Sequence, residues 1–252
     1  MSLNLALILV VLTLVSGVVV ALDKLVWKTA DQDSRTAPSG IRTLVEYSRS
    51  FFPVLVFVLV IRSFVFEPFR IPSGSMKPTL VEGDFIFVKK YSYGLRLPVT
   101  ETKILETGQP KRGDVIVFRL PSDPSINYIK RVIGLPGDEV SLERQRLTIN
   151  GVTMDLDANG ETFDNAPVYE ENLDGRVHQT LIHDPGHSKR DGLYVIPEGQ
   201  YFVMGDNRDQ SKDSRYIGAI PETYLVGQAV RVWMHFVPGE MPAWGRIGMK
   251  IE

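Results

Sequence analysis

Two long apolar runs near the start of the chain are the clearest pattern in its sequence. The first, Leu5 to Leu22, contains no charged residue, and its only hydroxyl side chains are Thr13 and Ser16. As a helix it reaches about 27 Å, close to the roughly 30 Å hydrocarbon core of a bilayer. A cleaved signal peptide is the competing interpretation, but no Lys or Arg precedes the run and Val19-Val20-Ala21 makes a poor cleavage site. The pattern favours an uncleaved transmembrane helix over residues 1–22.

The second apolar run, Phe51 to Phe66, is shorter and carries Arg62. Apolar side chains cover all faces between Phe51 and Ile61, whereas a surface helix of a globular core would show a polar stripe. Arg62 lies near the far end, where its side chain can reach the headgroups. The run predicts a second transmembrane helix over residues 51–67.

Charge then predicts the orientation of both helices. The connecting loop, residues 23–50, contains basic residues, and nothing basic precedes the first run; the basic residues are Lys24, Lys28, Arg35, Arg42 and Arg49. Because positively charged loops stay on the cytoplasmic side, we expect this loop in the cytoplasm. Both termini and the whole of residues 68–252 are then expected on the outer side.

The chain beyond residue 68 is typical of an all-β domain of antiparallel sheets. Short runs rich in Val, Ile, Phe and Tyr alternate with Gly, Pro and Asp turns; examples are residues 85–88, 115–118, 128–133 and 201–204. Asn150-Gly151 predicts a hairpin turn. A polar stretch over about 141–197 contains every histidine except His235. It predicts a second β subdomain inserted into a catalytic core of about 68–140 and 198–252.

Composition removes several function classes. The formal net charge of −2 gives no reason to expect a nucleic-acid partner. The chain has no cysteine, which excludes disulfides, thiolate zinc sites and cysteine nucleophiles together.

A first candidate for chemistry is the string Pro72 to Thr79, which contains Ser75. Two prolines and a glycine stiffen and turn the backbone, so they can present a hydroxyl on a fixed loop. A plain surface turn has the same composition. An S-x-x-K motif is excluded, because Pro78 occupies the lysine position. Activation by a histidine stays open, because a triad needs only proximity in space.

A second candidate is Lys130, in the string Tyr128 to Asp138. If this string begins as a strand, Lys130 shares a face with Tyr128 and Val132, and Arg131 faces the other side. To act as a base near pH 7, the lysine needs its pKa lowered by about 3 units, roughly 4 kcal/mol. Burial supplies that much, whereas a solvated lysine on an edge strand keeps its ordinary pKa.

Two further polar strings suggest metal sites. Gly205 to Arg215 contains several carboxylates, but their spacing is wrong for an EF-hand, and the alternating charges predict a self-paired polar network. His183-Asp184-Pro185-Gly186-His187 is a weak metal candidate, because Pro-Gly bars helical ligand geometry.

Taken together and in order, these strings resemble bacterial type I signal peptidases, which are membrane serine proteases with a Ser/Lys dyad. The resemblance covers nearly the whole chain. It rests on the two apolar runs and four ordered blocks, which are Pro72 to Met76, Gly113 to Phe118, Tyr128 to Asp138, and Gly205 to Gly218.

The resemblance implies a role for each matching residue. Ser75 corresponds to the nucleophile and Lys130 to its general base. Ser73, with the Ser75 backbone N–H, corresponds to the oxyanion hole, and Ser211 to the serine that hydrogen-bonds the lysine. Asp213 and Arg215 correspond to the supporting network. The walls of shallow pockets for alanine-like side chains correspond to Phe69, Ile71, Met76, Leu80, Val117, Tyr128 and Ile129.

The implied function is removal of signal peptides from secretory preproteins after small-x-small sites, without a metal or nucleotide cofactor. The expected setting is the bacterial inner membrane, with a monomer near the secretion translocon and its catalytic domain on the periplasmic side. The chain holds Ser75 within about 30 Å of Phe66, and therefore near the bilayer.

Lys77 departs from the family, which often has an apolar or aromatic residue there. A soluble-substrate Ser/Lys protease and a non-catalytic, membrane-tethered β module are the rival interpretations.

Overall fold

The computed structural model describes residues 5–27, 39–186 and 190–252. The chain divides into two compact units. One consists of Met1–Phe66 with Leu95–Glu106, and the other of Glu67–Gly94 with Thr107–Glu252. The fold is mainly antiparallel β with two apolar N-terminal helices, which confirms the predicted fold class.

The first unit contains the two apolar helices. Helix α1 is Leu5–Leu22, continued by a π-helical turn at Asp23–Trp27, and α2 is Ser39–Val60, continued by Ile61–Val65. Both are long and apolar enough to cross a membrane. A short two-stranded ribbon, β3 (Leu95–Arg96) with β4 (Lys103–Leu105), belongs to the same unit.

Close packing and one ion pair join the two helices. A Cβ added to Gly17 would lie 2.9 Å from a ring carbon of Phe52, so the helices approach closely at that glycine. Thr13 donates its hydroxyl to the Leu9 carbonyl at 2.7 Å, which satisfies it inside an apolar helix. At the polar end, Arg49 donates to the buried carboxylate of Asp23 at 2.6 Å.

The predicted start of the second helix was wrong. Helix α2 begins at Ser39 rather than Phe51, so the last part of the predicted loop 23–50 is helical; residues 28–38 of that loop lie outside the described residues. The polar turns are held by the pair Arg42–Glu46, four residues apart at 3.5 Å, and by burial of Val45. An apolar run marks only the membrane-compatible part of such a helix. The other end also differs, because Phe66 already begins a strand.

The second unit is built on a seven-stranded sheet in the order β1-β2-β16-β5-β6-β14-β15. Its strands are β1 (Phe66–Arg70), β2 (Asp84–Lys89), β5 (Val115–Leu120), β6 (Asp123–Gly134), β14 (Gln200–Met204), β15 (Ile220–Pro221) and β16 (Leu225–His235). Strand β5 is apolar on both faces, because Val115 and Val117 join one core cluster while Ile116 and Phe118 join another. A sheet covered on both sides is therefore the platform for the residues at its centre.

The strands between Glu139 and Val195 form two sheets of their own within the same unit. A three-stranded sheet contains β10 (Leu156–Phe163), β11 (Ala166–Leu173) and β12 (Arg176–Leu181), and we call it the inserted sheet. A four-stranded sheet contains β7 (Glu139–Glu143), β8 (Arg146–Ile149), β9 (Val152–Thr153) and β13 (Gly192–Val195). The predicted hairpin is present, because Asn150 (φ 50°) and Gly151 (φ 79°) join β8 to β9.

Replacement of Gly227, in β16, tests the close approach of β16 to β2. A Cβ at this position would lie 2.3 Å from the Lys89 carbonyl oxygen, so Gly227→Ala must displace backbone. We expect the free energy of unfolding to fall by about 2–4 kcal/mol, measured by thermal unfolding in detergent. Gly245→Ala is the control, because an added Cβ there meets no atom of the described chain within 4 Å. Equal unfolding midpoints for the two variants would contradict the packing.

Candidate active site

Ser75 lies at the centre of a tight turn that the chain forms soon after β1. Residues Gly74–Met76 make one turn of 3-10 helix, closed by a hydrogen bond from the Lys77 N–H to the Gly74 carbonyl at 3.1 Å. The Leu80 N–H donates to the Met76 carbonyl at 2.9 Å and extends the folded segment. We call Gly74–Met76 the nucleophile turn, after the role that the family resemblance implies for Ser75. It holds Ser75 half-buried, with fully buried Met76 as its anchor in the core.

The segment after β14 fixes this turn from inside the protein. The Asn207 N–H donates to the Ser75 carbonyl at 3.1 Å, and the Asn207 side-chain amide donates to the Gly74 carbonyl at 3.1 Å. Thr79 donates its hydroxyl to the Asp206 carboxylate at 2.6 Å. Gly205 lies against the same turn, because a Cβ there would be 2.4 Å from the Ser75 carbonyl oxygen.

Lys130 reaches Ser75 from strand β6. Its Nζ lies 2.7 Å from the Ser75 Oγ and 2.7 Å from the Ile129 carbonyl oxygen. The same nitrogen is 5.5 Å from the centre of the Tyr128 ring, on the face that strand alternation predicts. Lys130 is only 3% exposed. The structure therefore brings together a hydroxyl and a buried amine from parts of the sequence far apart.

Burial is the main influence on the pKa of Lys130. Desolvation lowers this pKa from 10.5 to about 8, while the negative charges of Asp213 and Asp206 oppose the change and Arg215 assists it. Both carboxylates are themselves paired with arginines. Arg131 donates to Asp206 through two nitrogens at 2.8 and 2.7 Å, and Arg215 donates to Asp213 through two nitrogens at 2.8 Å. Because each carboxylate is paired with an arginine, its attraction for the Lys130 ammonium is weakened. The effect of desolvation is therefore larger, and the net result is a lowered pKa of Lys130.

Asp213 and Arg215 also shape the loop that carries Ser211. The Asp213 carboxylate accepts from the Gly205 N–H at 3.0 Å, and Arg215 donates to the Arg208 carbonyl at 2.6 Å. The Ser211 side chain packs directly against Gly205, because a Cβ added to Gly205 would lie 2.3 Å from the Ser211 Oγ. That hydroxyl is buried and makes no hydrogen bond with any residue that the structure describes. Its contact with Lys130 stays a prediction.

Most of the predicted pocket residues lie in one place. Five belong to a single buried core cluster and Phe69 packs against it; the five are Ile71, Met76, Leu80, Val117 and Ile129. Tyr128 packs against a different cluster, on the Phe118 side of the sheet. Ser73 precedes the nucleophile turn with an extended backbone and an exposed side chain.

No hydrogen bond joins Ser75 to any of the three histidines that the structure describes, His178, His183 and His235. His235 Nδ1 lies 2.9 Å from the Asp84 carboxylate, and His183 is exposed. His178 Nε2 lies 3.4 Å from the Glu171 carboxylate, and burial lowers the pKa of His178 to about 4. The serine therefore has a lysine as its hydrogen-bonded neighbour, and none of the three described histidines takes that place. No metal-binding group of three or more ligands occurs within residues 5–27, 39–186 and 190–252, and His187 lies outside them.

Sequence reasoning missed the buried charges around the site. Strand alternation puts Arg131 on the opposite face from Lys130, with Ile129 and Ile133, and predicts no partner for it. The structure pairs it with Asp206, and pairs Arg208 with Glu171 at 2.8 and 2.5 Å. A charged residue predicted to lie between apolar ones needs a buried counter-charge, so the alternation of the strand was a usable signal.

Comparison with known proteins identifies relatives from one family. A sequence model described as "Signal peptidase, peptidase S26" matches residues 44–234. The chain is 44% identical to a signal peptidase I of Pseudomonas fluorescens, with 99% of each chain covered. It is 49% identical to a signal peptidase I of Pseudomonas aeruginosa, over 82% of this chain and 79% of that one. A solved signal peptidase I from Enterococcus faecalis is 31% identical, over 48% of this chain and 96% of that chain, with a TM-score of 0.33.

The chain therefore belongs to the signal peptidase family, peptidase S26. Within that family it is a serine peptidase of the signal peptidase I type. The resemblance drawn from the ordered sequence blocks is confirmed.

Replacement of Lys130 by methionine tests whether the amine is buried at an energetic cost. The folded-state pKa, about 8, lies below the ordinary value of 10.5, so the unfolded chain binds the proton more tightly. Below pH 8 the folded wild type therefore carries a penalty of about 3 kcal/mol, which disappears as the pH rises towards 10.5. We expect Lys130→Met to be more stable than wild type at pH 7, with the difference shrinking above pH 8. Unfolding measured from pH 7 to 10 checks this, and a pH-independent difference would contradict it.

Proposed function

We propose that the chain removes N-terminal signal peptides from secretory preproteins, with Ser75 as nucleophile and Lys130 as general base. The observation that carries the proposal is the 2.7 Å contact between Lys130 Nζ and Ser75 Oγ, made by a lysine whose burial lowers its pKa to about 8. A lysine with an ordinary pKa is neutral in about one molecule in three thousand at pH 7, whereas a pKa near 8 leaves about one in ten neutral. The site thus has a usable base near neutral pH.

The reaction begins when the neutral amine of Lys130 accepts the Ser75 hydroxyl proton. The Ser75 Oγ forms a bond to the carbonyl carbon of the scissile peptide bond, and the tetrahedral intermediate collapses as Lys130 returns that proton to the leaving amine. The signal peptide remains as an ester on Ser75. Lys130 then takes a proton from water, the hydroxide oxygen bonds to the ester carbon, and Ser75 leaves with the proton restored.

Two hydrogen-bond donors at the nucleophile turn serve the negative oxygen of the intermediate. They are the Ser75 backbone N–H and the Ser73 hydroxyl, which its extended backbone places just before the turn. The supporting network is Ser211, Asp213 and Arg215. The Ser211 hydroxyl, buried beside Gly205, is suited to hold the Lys130 amine in position.

The cluster beneath the nucleophile turn accounts for the small-x-small preference. Met76 and Leu80 are fully buried, and Ile71 and Val117 almost so, which leaves little room for a large substrate side chain among them. Phe69 and Ile129 extend this cluster, and Tyr128 lies apart from it, with its ring centre 5.5 Å from Lys130 Nζ; we assign all seven residues to the walls of shallow apolar pockets. Such pockets accept alanine-like side chains and reject larger ones by steric clash.

The length and apolar composition of the two N-terminal helices support a membrane setting for this chemistry. Residues 1–22 and the second helix span the bacterial inner membrane, with the loop between them in the cytoplasm and the catalytic domain on the periplasmic side. The catalytic residues come from the core parts, 68–140 and 198–252, and the inserted β subdomain covers 141–197. The protein works as a monomer near the secretion translocon, where preproteins emerge. The charge bias of the loop supports this orientation.

Cleavage of a preprotein in detergent tests the catalytic assignment. We expect Ser75→Ala and Lys130→Ala to lose activity by at least about 1000-fold, with folding retained, because each removes one half of the acyl-transfer machinery. In the wild type, kcat/KM should rise with pH up to about 8 as Lys130 loses its proton. The control variant Gly245→Ala should cleave at the wild-type rate. Wild-type rates for both dyad variants would refute the mechanism, whereas absence of cleavage by the wild type itself would favour the non-catalytic module.

Protease protection in sealed vesicles tests the orientation. We expect added protease to digest residues 68–252 in vesicles that keep the outer face outward, and to spare them in inverted vesicles, because the basic loop stays in the cytoplasm. Detergent should abolish the protection. Digestion of the domain in intact inverted vesicles would contradict the predicted orientation.

A further inference from the structure

Lys77 follows the nucleophile turn directly and makes two ionic contacts. Its Nζ lies 2.9 Å from the Asp164 carboxylate and 3.0 Å from the Glu82 carboxylate. The hydrogen bond to Asp164 is the main cause that raises the pKa of Lys77. The pKa values of Lys77 and Lys130 are therefore shifted in opposite directions. Lys130 can lose its proton near neutral pH, whereas Lys77 stays a cation.

The pair Lys77–Glu82 covers the outer side of Gly74. A Cβ added to Gly74 would lie 2.7 Å from the Glu82 Oε1 and 3.0 Å from the Lys77 Cε, so these side chains lie directly against the backbone of the nucleophile turn. From the inner side, Asn207 donates to the Gly74 carbonyl. The residue before Ser75 is thus enclosed between two sets of side chains.

Asp164 belongs to the tip of the inserted sheet. It occupies the turn between β10 and β11 with a left-handed backbone, φ 49°, followed by Asn165 at φ 62°. Phe163, just before it, packs against the buried cluster of Ala166, Val168 and Leu181. The contact from Asp164 to Lys77 therefore joins the nucleophile turn to a packed element rather than to a loose loop.

The inserted sheet also reaches the inner side of the turn. Glu171, in β11, pairs with Arg208 through two hydrogen bonds, at 2.8 and 2.5 Å, and both side chains are almost fully buried. The Leu181 N–H, at the end of β12, donates to the Asp206 carbonyl at 2.8 Å. Asn207, the residue that holds the Gly74 and Ser75 carbonyls, lies between these two attachment points.

We propose that the inserted sheet clamps the nucleophile turn from both sides, and that Lys77 is the positioning residue that closes the outer contact onto Asp164. The proposal rests on the proposed role of Ser75. A hydrogen bond between Ser75 Oγ and Lys130 Nζ weakens steeply when either group moves, and small misplacements of reacting groups slow catalysis strongly. Of the proposed pocket walls only Met76 belongs to the nucleophile turn, and it is fully buried in a core cluster with Ile71 and Leu80. Loss of the outer contact should therefore lower kcat and leave KM nearly unchanged.

The test is a double-mutant cycle on preprotein cleavage, using Lys77→Met, Asp164→Asn and their combination. Methionine keeps the apolar stem that covers Gly74, and asparagine tolerates the left-handed backbone at position 164. We expect kcat to fall about tenfold for Lys77→Met and about threefold for Asp164→Asn, with the double variant no slower than Lys77→Met alone. KM should change less than about twofold. Lys77→Arg should recover most of the rate, and high salt should slow the wild type more than Lys77→Met.

Asp174→Asn is the matched control. Asp174 is in the other hairpin turn of the inserted sheet, with φ 53°, and accepts from Arg112 at 2.6 Å. Its exposure, 60%, is close to the 56% of Asp164. The proposal would be overturned by an equal loss of kcat in Asp174→Asn, by multiplicative losses in the cycle, or by a loss of kcat explained entirely by unfolding at the assay temperature.

Ser75→Ala in the same assay separates the clamp from the proposed mechanism. If it is inactive while Lys77→Met retains full activity, the clamp alone is wrong; if Ser75→Ala stays active, the proposed mechanism itself fails.

Discussion

The burial of a lysine amine beside a serine hydroxyl is the constraint on which the rest of this region depends. An ammonium ion moved out of water loses hydration, so the folded protein favours the neutral amine unless nearby carboxylates hold the proton. Asp206 and Asp213 both raise the pKa of Lys130. Each carboxylate forms an ion pair with an arginine, Asp206 with Arg131 and Asp213 with Arg215, and the positive charge of the arginine offsets the negative charge of the carboxylate. The arginines thereby allow two carboxylates to support the loop without keeping the lysine charged.

These buried ion pairs are expensive to form, and replacement by apolar residues often stabilises a protein. Their geometry indicates what they contribute here. Arg131–Asp206 joins strand β6 to the segment after β14, and Glu171–Arg208 joins the inserted sheet to the same segment. Each pair bridges two elements and fixes the short stretch that carries Asn207. The inserted sheet thus acquires a physical connection to the nucleophile turn that its polar sequence does not suggest.

Local patterns in the sequence predicted the elements better than their contacts. Apolar runs predicted both N-terminal helices, and Asn150-Gly151 predicted its hairpin, because hydropathy and turn preference depend on neighbouring residues. Strand alternation placed Lys130 on the Tyr128 face and Arg131 on the other. The start of α2 at Ser39 was missed, since ion pairs and packing extend a helix beyond its apolar part. The approach of Ser75 to Lys130 came from the family resemblance alone, because nothing local to either residue specifies a partner 55 positions away.

The contacts of Asn207 have a consequence for how a new chain becomes an enzyme. Asn207 follows Gly74 by 133 residues, so on the order of ten seconds of synthesis separate the nucleophile turn from the amide that fixes it. Glu171, Arg208 and Arg215 are likewise all made after Ser75 and Lys130. A partly made chain therefore carries its serine and lysine without the contacts that hold them together. The surroundings of Ser75 and Lys130 can therefore assemble only after Arg215 has been made, well into the last third of the chain.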